Sequence, residues 1–340
     1  MPPTPALGSR VPSASAPGRR PPPEVLGRPV RAATAVSMAA AGAACLVGLT
    51  VPGGWGDAAP VVLVAGLLLG LPHGAVDHLV PGFRLGWRPR VLAGFTAGYA
   101  VLAAAGWLAF RAIPGAALLA FVAVSVWHFG SGETAFADLR AGRPVRRRVP
   151  ATVVVGLLVL LVPLVRGAEE TAAVVAAVVP GSGGRLPPEL TAVVLGVVLP
   201  ATAVLAGTLL GARRWLDAAE LGVLTALVLV VPPLAAFAVW FGCWHAVRHV
   251  ARVVAEDPGN RDDLVAGRLG RPLRRFAGQA ALPTVVVIVV LALLWSAAGG
   301  WRAFVATDVP VLAALTLPHV LVVGWLDRPG PGGRRTSGGP

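Results

Sequence analysis

The sequence contains no lysine, one tyrosine, two cysteines and only 16 acidic residues in 340. With 13% of its side chains charged and 56% hydrophobic, it cannot clothe a water-soluble surface, which excludes an ordinary globular domain. Cys45 and Cys243 lie in separate apolar runs. That placement excludes a disulfide framework and suits small buried hydrophobes. The scarcity of acids inside the apolar runs argues against paired catalytic carboxylates or a triad. Without lysine, all 29 basic residues are arginines, and the abundance of Ala, Gly, Arg, Pro and Val points to a GC-rich coding sequence. A net charge of +13 would suggest nucleic acid in a soluble protein. In a membrane protein it reports topology instead, and no nucleic-acid partner is expected.

What is present is apolar length, with a mean hydropathy of +0.74. Unpaired backbone groups are expensive in hydrocarbon, so such runs should be helices, giving an all-α polytopic transmembrane helix bundle. At about 17 to 25 residues per span, the runs place about ten helices, near 33–51, 58–73, 91–110, 114–130, 149–165, 189–211, 215–231, 234–253, 280–298 and 309–326. Segment 171–180 reads as interfacial or re-entrant, and Pro232-Pro233 as a tight turn. Residues 1–31, rich in Pro, Ala, Ser and Arg, read as a disordered basic tail. The membrane domain then covers 32–326, with a second disordered tail over 327–340. The run from Ala33 to Val51 is long enough for a permanent span. If the N-terminus is cytoplasmic, all the arginines except Arg111, Arg166, Arg185 and Arg302 fall on that side. This asymmetry predicts a multi-pass cell-membrane protein with both termini cytoplasmic.

The six histidines are His73, His78, His128, His245, His249 and His319. In this topology all fall on helices running from outside to inside, at or toward the cytoplasmic end. An ionisable group in a span usually faces the bundle interior and has a partner, and six in one layer point to a metal. In Trp244-His245-Ala246-Val247-Arg248-His249, imidazoles at i and i+4 share a helix face and can grip one ion. Arg248 needs a partner at that depth, with an aspartate or a backbone carbonyl expected. In Leu71-Pro72-His73-Gly74-Ala75-Val76-Asp77-His78, positions 73 and 78 would point about 140° apart on a straight helix. Pro72 and Gly74 permit distortion. His73 reads as a ligand, and Asp77 as a carboxylate able to accept a ligand imidazole's free N–H, with His78 nearby. In Trp127-His128-Phe129-Gly130 the Trp-His pair recurs, and Glu133 beyond it is a supporting acceptor or a surface charge. In Pro318-His319, ligand, supporting and packing roles stay open for His319.

A neutral imidazole shell suits iron, copper or zinc rather than magnesium or calcium. Around it, Trp127, Phe129, Phe237, Trp240, Phe241 and Trp244 form an aromatic wall suited to an apolar substrate arriving through lipid.

With these motifs in view, the chain resembles the Brp/Blh family of bacterial and archaeal membrane β-carotene 15,15′-dioxygenases. The resemblance rests on Pro72-His73-Gly74-Ala75-Val76-Asp77-His78, Trp127-His128-Phe129-Gly130, Trp244-His245-Ala246-Val247-Arg248-His249 and Pro318-His319, spread over about residues 58–325. It implies cleavage of the central double bond of β-carotene with dioxygen and Fe(II) to give two all-trans-retinal molecules. Position by position, it assigns iron to His73, His128, His245 and His249. His78, His319 and Asp77 become supporting residues or further candidate ligands, and Trp127, Phe129, Trp240, Phe241 and Trp244 the substrate wall. The implied partners are a carotenoid, dioxygen and the lipid bilayer, with a retinal-binding rhodopsin as candidate recipient of the product.

Two other classes compete. A diiron membrane desaturase or hydroxylase also clusters histidines near the cytoplasmic face, but needs more than six, in HxxxH and HxxHH boxes. A histidine-lined metal or proton transporter should carry polar groups at several depths, whereas the expected helices at 149–165, 189–211, 215–231 and 280–298 are almost wholly apolar.

Overall fold

The computed structural model describes residues 21–51, 55, 58–184 and 186–328. Among these every regular element is helical. In order they are α1 (Pro23–Thr50), α2 (Ala58–Gly70), α3 (Val80–Leu85), α4 (Pro89–Ala112), α5 (Pro114–Arg140), α6 (Val149–Gly156), α7 (Val162–Arg166) and α8 (Ala168–Val178). Then follow α9 (Glu189–Gly211), α10 (Trp215–Val230), α11 (Pro233–Val239), α12 (Ala246–Glu256), α13 (Arg261–Val265), α14 (Gly270–Ala297) and α15 (Trp301–Leu326). Pro23, Pro89, Pro114 and Pro233 each open a helix, where a missing N–H costs nothing and the fixed φ is already helical.

Among the described residues seven helices are long and apolar enough to cross a membrane: Pro23–Thr50, Pro89–Ala112, Pro114–Arg140, Val149–Arg166, Glu189–Gly211, Gly270–Ala297 and Arg302–Leu326. Ala58–His73 is a shorter apolar helix. Large side chains such as Leu119, Val204 and Leu282 project outward from these helices, as hydrocarbon contact requires.

Several boundaries differ from expectation. Helix α1 begins at Pro23 and buries Val25, Leu26 and Val30, so residues 23–31 belong to the bundle rather than to a tail; their alternate apolar positions pack against Phe136, Val253 and Val254 in one cluster. Residues 1–20 and 329–340 lie outside the described residues. Helix α5 runs on from 130 to Arg140, which puts His128 within a helix instead of at its end. The polar residues past Gly130, which resembled a membrane interface, are buried: Glu133 and Asp138 face partners inside the protein. The stretch 234–253 is not one regular helix, because a π-helical turn, Trp240–His245, separates α11 from α12. The break at Pro232 is present, with extended backbone before α11 starts at Pro233.

Two large apolar clusters flank the histidine motifs. One holds Phe129, Leu158, Leu227, Trp240 and Trp244. The other holds Val30, Val76, Phe136, Val253 and Val322. Backbones approach closely where glycine allows it. A Cβ at Gly130 would stand 1.8 Å from the carbonyl oxygen of Thr152, and one at Gly156 would stand 1.9 Å from that of Val126, so α5 and α6 meet backbone to backbone. A Cβ at Gly66 would collide with Ala238 in the same way, bringing α2 against α11.

Gly130→Ala should therefore destabilise the purified protein by about 1–3 kcal/mol or more through overpacking. Gly94→Ala, where nothing lies within 4 Å, should be neutral. Thermal unfolding in detergent checks both, and an unaffected Gly130→Ala would contradict the close α5–α6 contact.

Candidate metal centre

Five of the six histidines meet in one buried group. His73 sits in a 3-10 turn, Leu71–His73, that ends α2; Pro72 and Gly74 bracket it, and the chain continues as turns before α3. The distortion expected at this motif is thus present, and it points His73 inward. His128 comes from α5, His245 from the end of the π-helical turn, His249 from α12 and His319 from α15. Ring centroids are 5.5 Å apart for His73–His245, 5.5 Å for His73–His249, 4.8 Å for His73–His319, 5.2 Å for His128–His245, 4.9 Å for His128–His319 and 5.2 Å for His249–His319.

The nitrogens have a common arrangement. The Nδ1 of His73 lies 2.5 Å from the carbonyl oxygen of Gly70. A carbonyl only accepts, so Nδ1 carries the proton and Nε2 keeps its lone pair. The Nδ1 of His319 donates to Asp77 Oδ2 at 2.7 Å, with the same consequence. The Nε2 atoms of His128, His245, His249 and His319 are buried without a hydrogen-bond partner. Unpartnered polar atoms are costly in an apolar interior, and several on one group of rings match what a soft-to-borderline metal ion would satisfy. Ligand atoms of Asp77, His249 and His319 already lie within 4.8 Å of one another. The donor set therefore fits a transition metal.

His78 does not join the group. It is half-buried and makes none of these ring contacts, because the turns after His73 carry Asp77 inward and leave His78 to the side.

Behind His245 lies a charged network. Glu133 accepts from Trp244 Nε1 at 2.9 Å and from Arg248 at 2.9 Å, and its other oxygen is 3.9 Å from His245 Nδ1. Arg248 also donates to Glu220 at 2.6 Å, lies over the rings of Trp244 and Phe136, and reaches Ser37 at 3.4 Å. Its partners are thus two glutamates rather than the aspartate or backbone carbonyl expected. Glu133 is buried rather than a surface charge, and it accepts from Trp244 and Arg248 rather than from an imidazole. Glu220 is shared with Arg140, which also pairs with Asp217. At the end of α12, Arg84 holds Glu256 at 2.8 Å and Arg252 pairs with Asp327, so the helix bearing His249 is pinned to α3 and to the end of α15.

The aromatic residues divide. Phe129 lies 5.3 Å from His128 and 5.0 Å from His245, Trp240 5.4 Å from His245, and Phe241 5.4 Å from His73. Phe237 stacks on Phe241. Gly70 makes room for Phe241, whose ring a Cβ there would meet at 2.1 Å. Trp244 is fully buried, with its indole directed to Glu133. Trp127 is 38% exposed on the outer face of α5 and stands apart from the histidines.

Sequence reasoning missed Glu220, Arg140 and Tyr99. Glu220 left a signal, as an acid that with Asp217 interrupts the apolar run of α10, and so did Tyr99, as the chain's one tyrosine.

Removing one partner of a buried ion pair is costly, so Glu133→Ala should lose about 3–5 kcal/mol of stability. Arg268→Ala, which removes an exposed guanidinium from Asp263 while Arg271 stays 3.8 Å from that carboxylate, should change it by under about 1 kcal/mol. Unfolding curves of the two variants in the same detergent check this, and equal effects would contradict the buried network.

Comparison with known proteins shows the family. The sequence model of the family described as "Beta-carotene 15,15'-dioxygenase" matches residues 64–327. A curated relative from Halobacterium salinarum, named "Probable beta-carotene 15,15'-dioxygenase Blh", is 36% identical over 296 residues, covering 79% of this chain and 84% of the relative. No solved structure matches. A match that spans all five clustered histidines, together with a relative at this identity matched over most of both chains, places the chain in the β-carotene 15,15′-dioxygenase family.

Proposed function

We propose that the histidine group holds Fe(II) through His73, His128, His245 and His249, and that the protein uses it to cleave the central double bond of β-carotene into two molecules of all-trans-retinal. The observation carrying this reading is the convergence of these rings with unpartnered, buried Nε2 atoms on three of them. Family membership supplies the substrate class. Bound there, ferrous iron supplies the one-electron chemistry by which ground-state dioxygen reacts with a closed-shell polyene.

The residues of the chain do the rest. Phe129, Trp240 and Phe241 form the wall on which the polyene midpoint lies. Position selects the central bond, since neighbouring double bonds are chemically alike. The reaction breaks one carbon–carbon double bond and forms two carbonyls, dividing one dioxygen between them with no proton gained or lost. No general base is needed, which agrees with a site whose carboxylates, Asp77 and Glu133, are engaged by His319 and by Arg248 and Trp244. The cavity beside His245 and His249 is about 10 Å³, the space of about one water. A polyene therefore has to be admitted by rearrangement of surrounding side chains and helices, and Trp127, on the outer face of α5, stands where an apolar substrate would approach from lipid.

The topology belongs to the same proposal. The seven long helices, with Ala58–His73, α10 and the α11–α12 pair as further crossings, make ten spans. Both termini and the histidine layer then lie on the cytoplasmic side of the cell membrane, where most arginines fall. A retinal-binding rhodopsin is the candidate recipient of the product.

Expression in a β-carotene-producing bacterium should bleach the cells and yield retinal. Pigment that persists although the protein is in the membrane and iron is supplied would count against the assignment. His245→Ala and His249→Ala should each abolish bound iron and cleavage together. Full activity in either variant would show that the pair does not hold the metal.

A further inference from the structure

The structure holds a hydrogen-bonded chain that this function does not use. Tyr99, on α4, lies far in sequence from every histidine motif. Its hydroxyl is 3.2 Å from Asp77 Oδ2 and 3.3 Å from the carbonyl oxygen of Leu315. The same Asp77 oxygen accepts from His319 Nδ1 at 2.7 Å. Leu315 is one turn before His319 on α15, where Pro318 removes a backbone donor and loosens the helix. Tyr99 thus touches both the carboxylate that orients His319 and the helical turn that carries it. At the other end of the chain, His319 presents a buried, unpartnered Nε2 and a ring in contact with His73, His128 and His249.

The geometry points to His319 as a further metal-holding imidazole and to Tyr99, acting through Asp77, as the positioning residue that aims it. Three elements each contribute one member: the turns after His73 supply Asp77, α4 supplies Tyr99 and α15 supplies His319. Asp77 keeps the imidazole proton on Nδ1 and leaves the Nε2 lone pair facing the other rings. Tyr99 restricts the carboxylate so that this tautomer and ring angle persist. The assignment rests on the metal-centre reading above and extends the ligand set by one residue.

The alternative is that the three residues merely join helices, as polar groups in a membrane often do. Helix joining would alter stability without altering the metal. The test is titration of the purified full chain in detergent with Co(II), read by its visible absorption and by competition with a chelator, alongside unfolding temperatures without metal. His319→Ala and Asp77→Asn should weaken Co(II) binding by about 10–100-fold and shift the absorption bands. Tyr99→Phe, which removes one oxygen, should weaken it by about 2–10-fold and shift the bands in the same direction. If Asp77→Asn fails to fold, His319→Ala and Tyr99→Phe decide the matter. Variants that melt earlier but keep the parent affinity and spectrum overturn the assignment, and a Tyr99→Phe protein that alone matches the parent overturns the role of Tyr99. A parent chain that binds no Co(II) or Fe(II) sinks the metal-centre reading itself.

Discussion

Imidazole nitrogens inside an apolar helix bundle must be satisfied, and here the Nε2 atoms of His128, His245, His249 and His319 have no hydrogen-bond partner within the protein. The rest of the architecture can be read as the means of holding these rings in place. Two large apolar clusters grip the helices on either side of the group. The 3-10 turn at His73 and the π-helical turn ending at His245 set the directions of two rings that straight helices would have aimed elsewhere. Fixed carboxylates stand behind His319 and His245, with Asp77 bonded to the first and Glu133 3.9 Å from the second.

The charged network shows how a strongly cationic chain tolerates arginine at this depth. Arg248 is balanced by Glu133 and Glu220, and it lies over two aromatic faces. Glu220 is shared in turn with Arg140, so the charges form a connected set and not an isolated pair. Such a set does little for stability compared with packed hydrophobic residues, but breaking it leaves a buried charge exposed to an apolar interior. Its value lies in fixing α5, α10 and α12 relative to one another, and two of these helices carry histidines.

Much of this could be read from the sequence because membrane proteins restrict their options. Apolar run length identified helices, Pro232-Pro233 marked a break between two of them, and the four histidine motifs contained all five converging rings. The failures share a cause. Polar residues at 131–140 looked like the end of a span because the partners of Glu133, Trp244 and Arg248, are remote in sequence. The same remoteness hid the pairing of Arg248 with Glu220 and of Tyr99 with Asp77. The helix over residues 23–31 was hidden by its composition, since Pro23, Gly27, Arg28 and Pro29 suggest a tail while the intervening Val25, Leu26 and Val30 are buried. The π-helical turn leaves no compositional mark at all, yet it alters the register of α11 relative to α12, the helix that carries His249.

The proposed function requires one iron ion held by imidazoles alone. X-ray absorption at the iron edge of the purified, iron-loaded protein tests it most directly. The predicted result is a single-iron site with a nitrogen-dominated shell and the outer-shell scattering of imidazole rings. Iron–iron scattering or a shell dominated by sulfur or carboxylate oxygen would contradict the account.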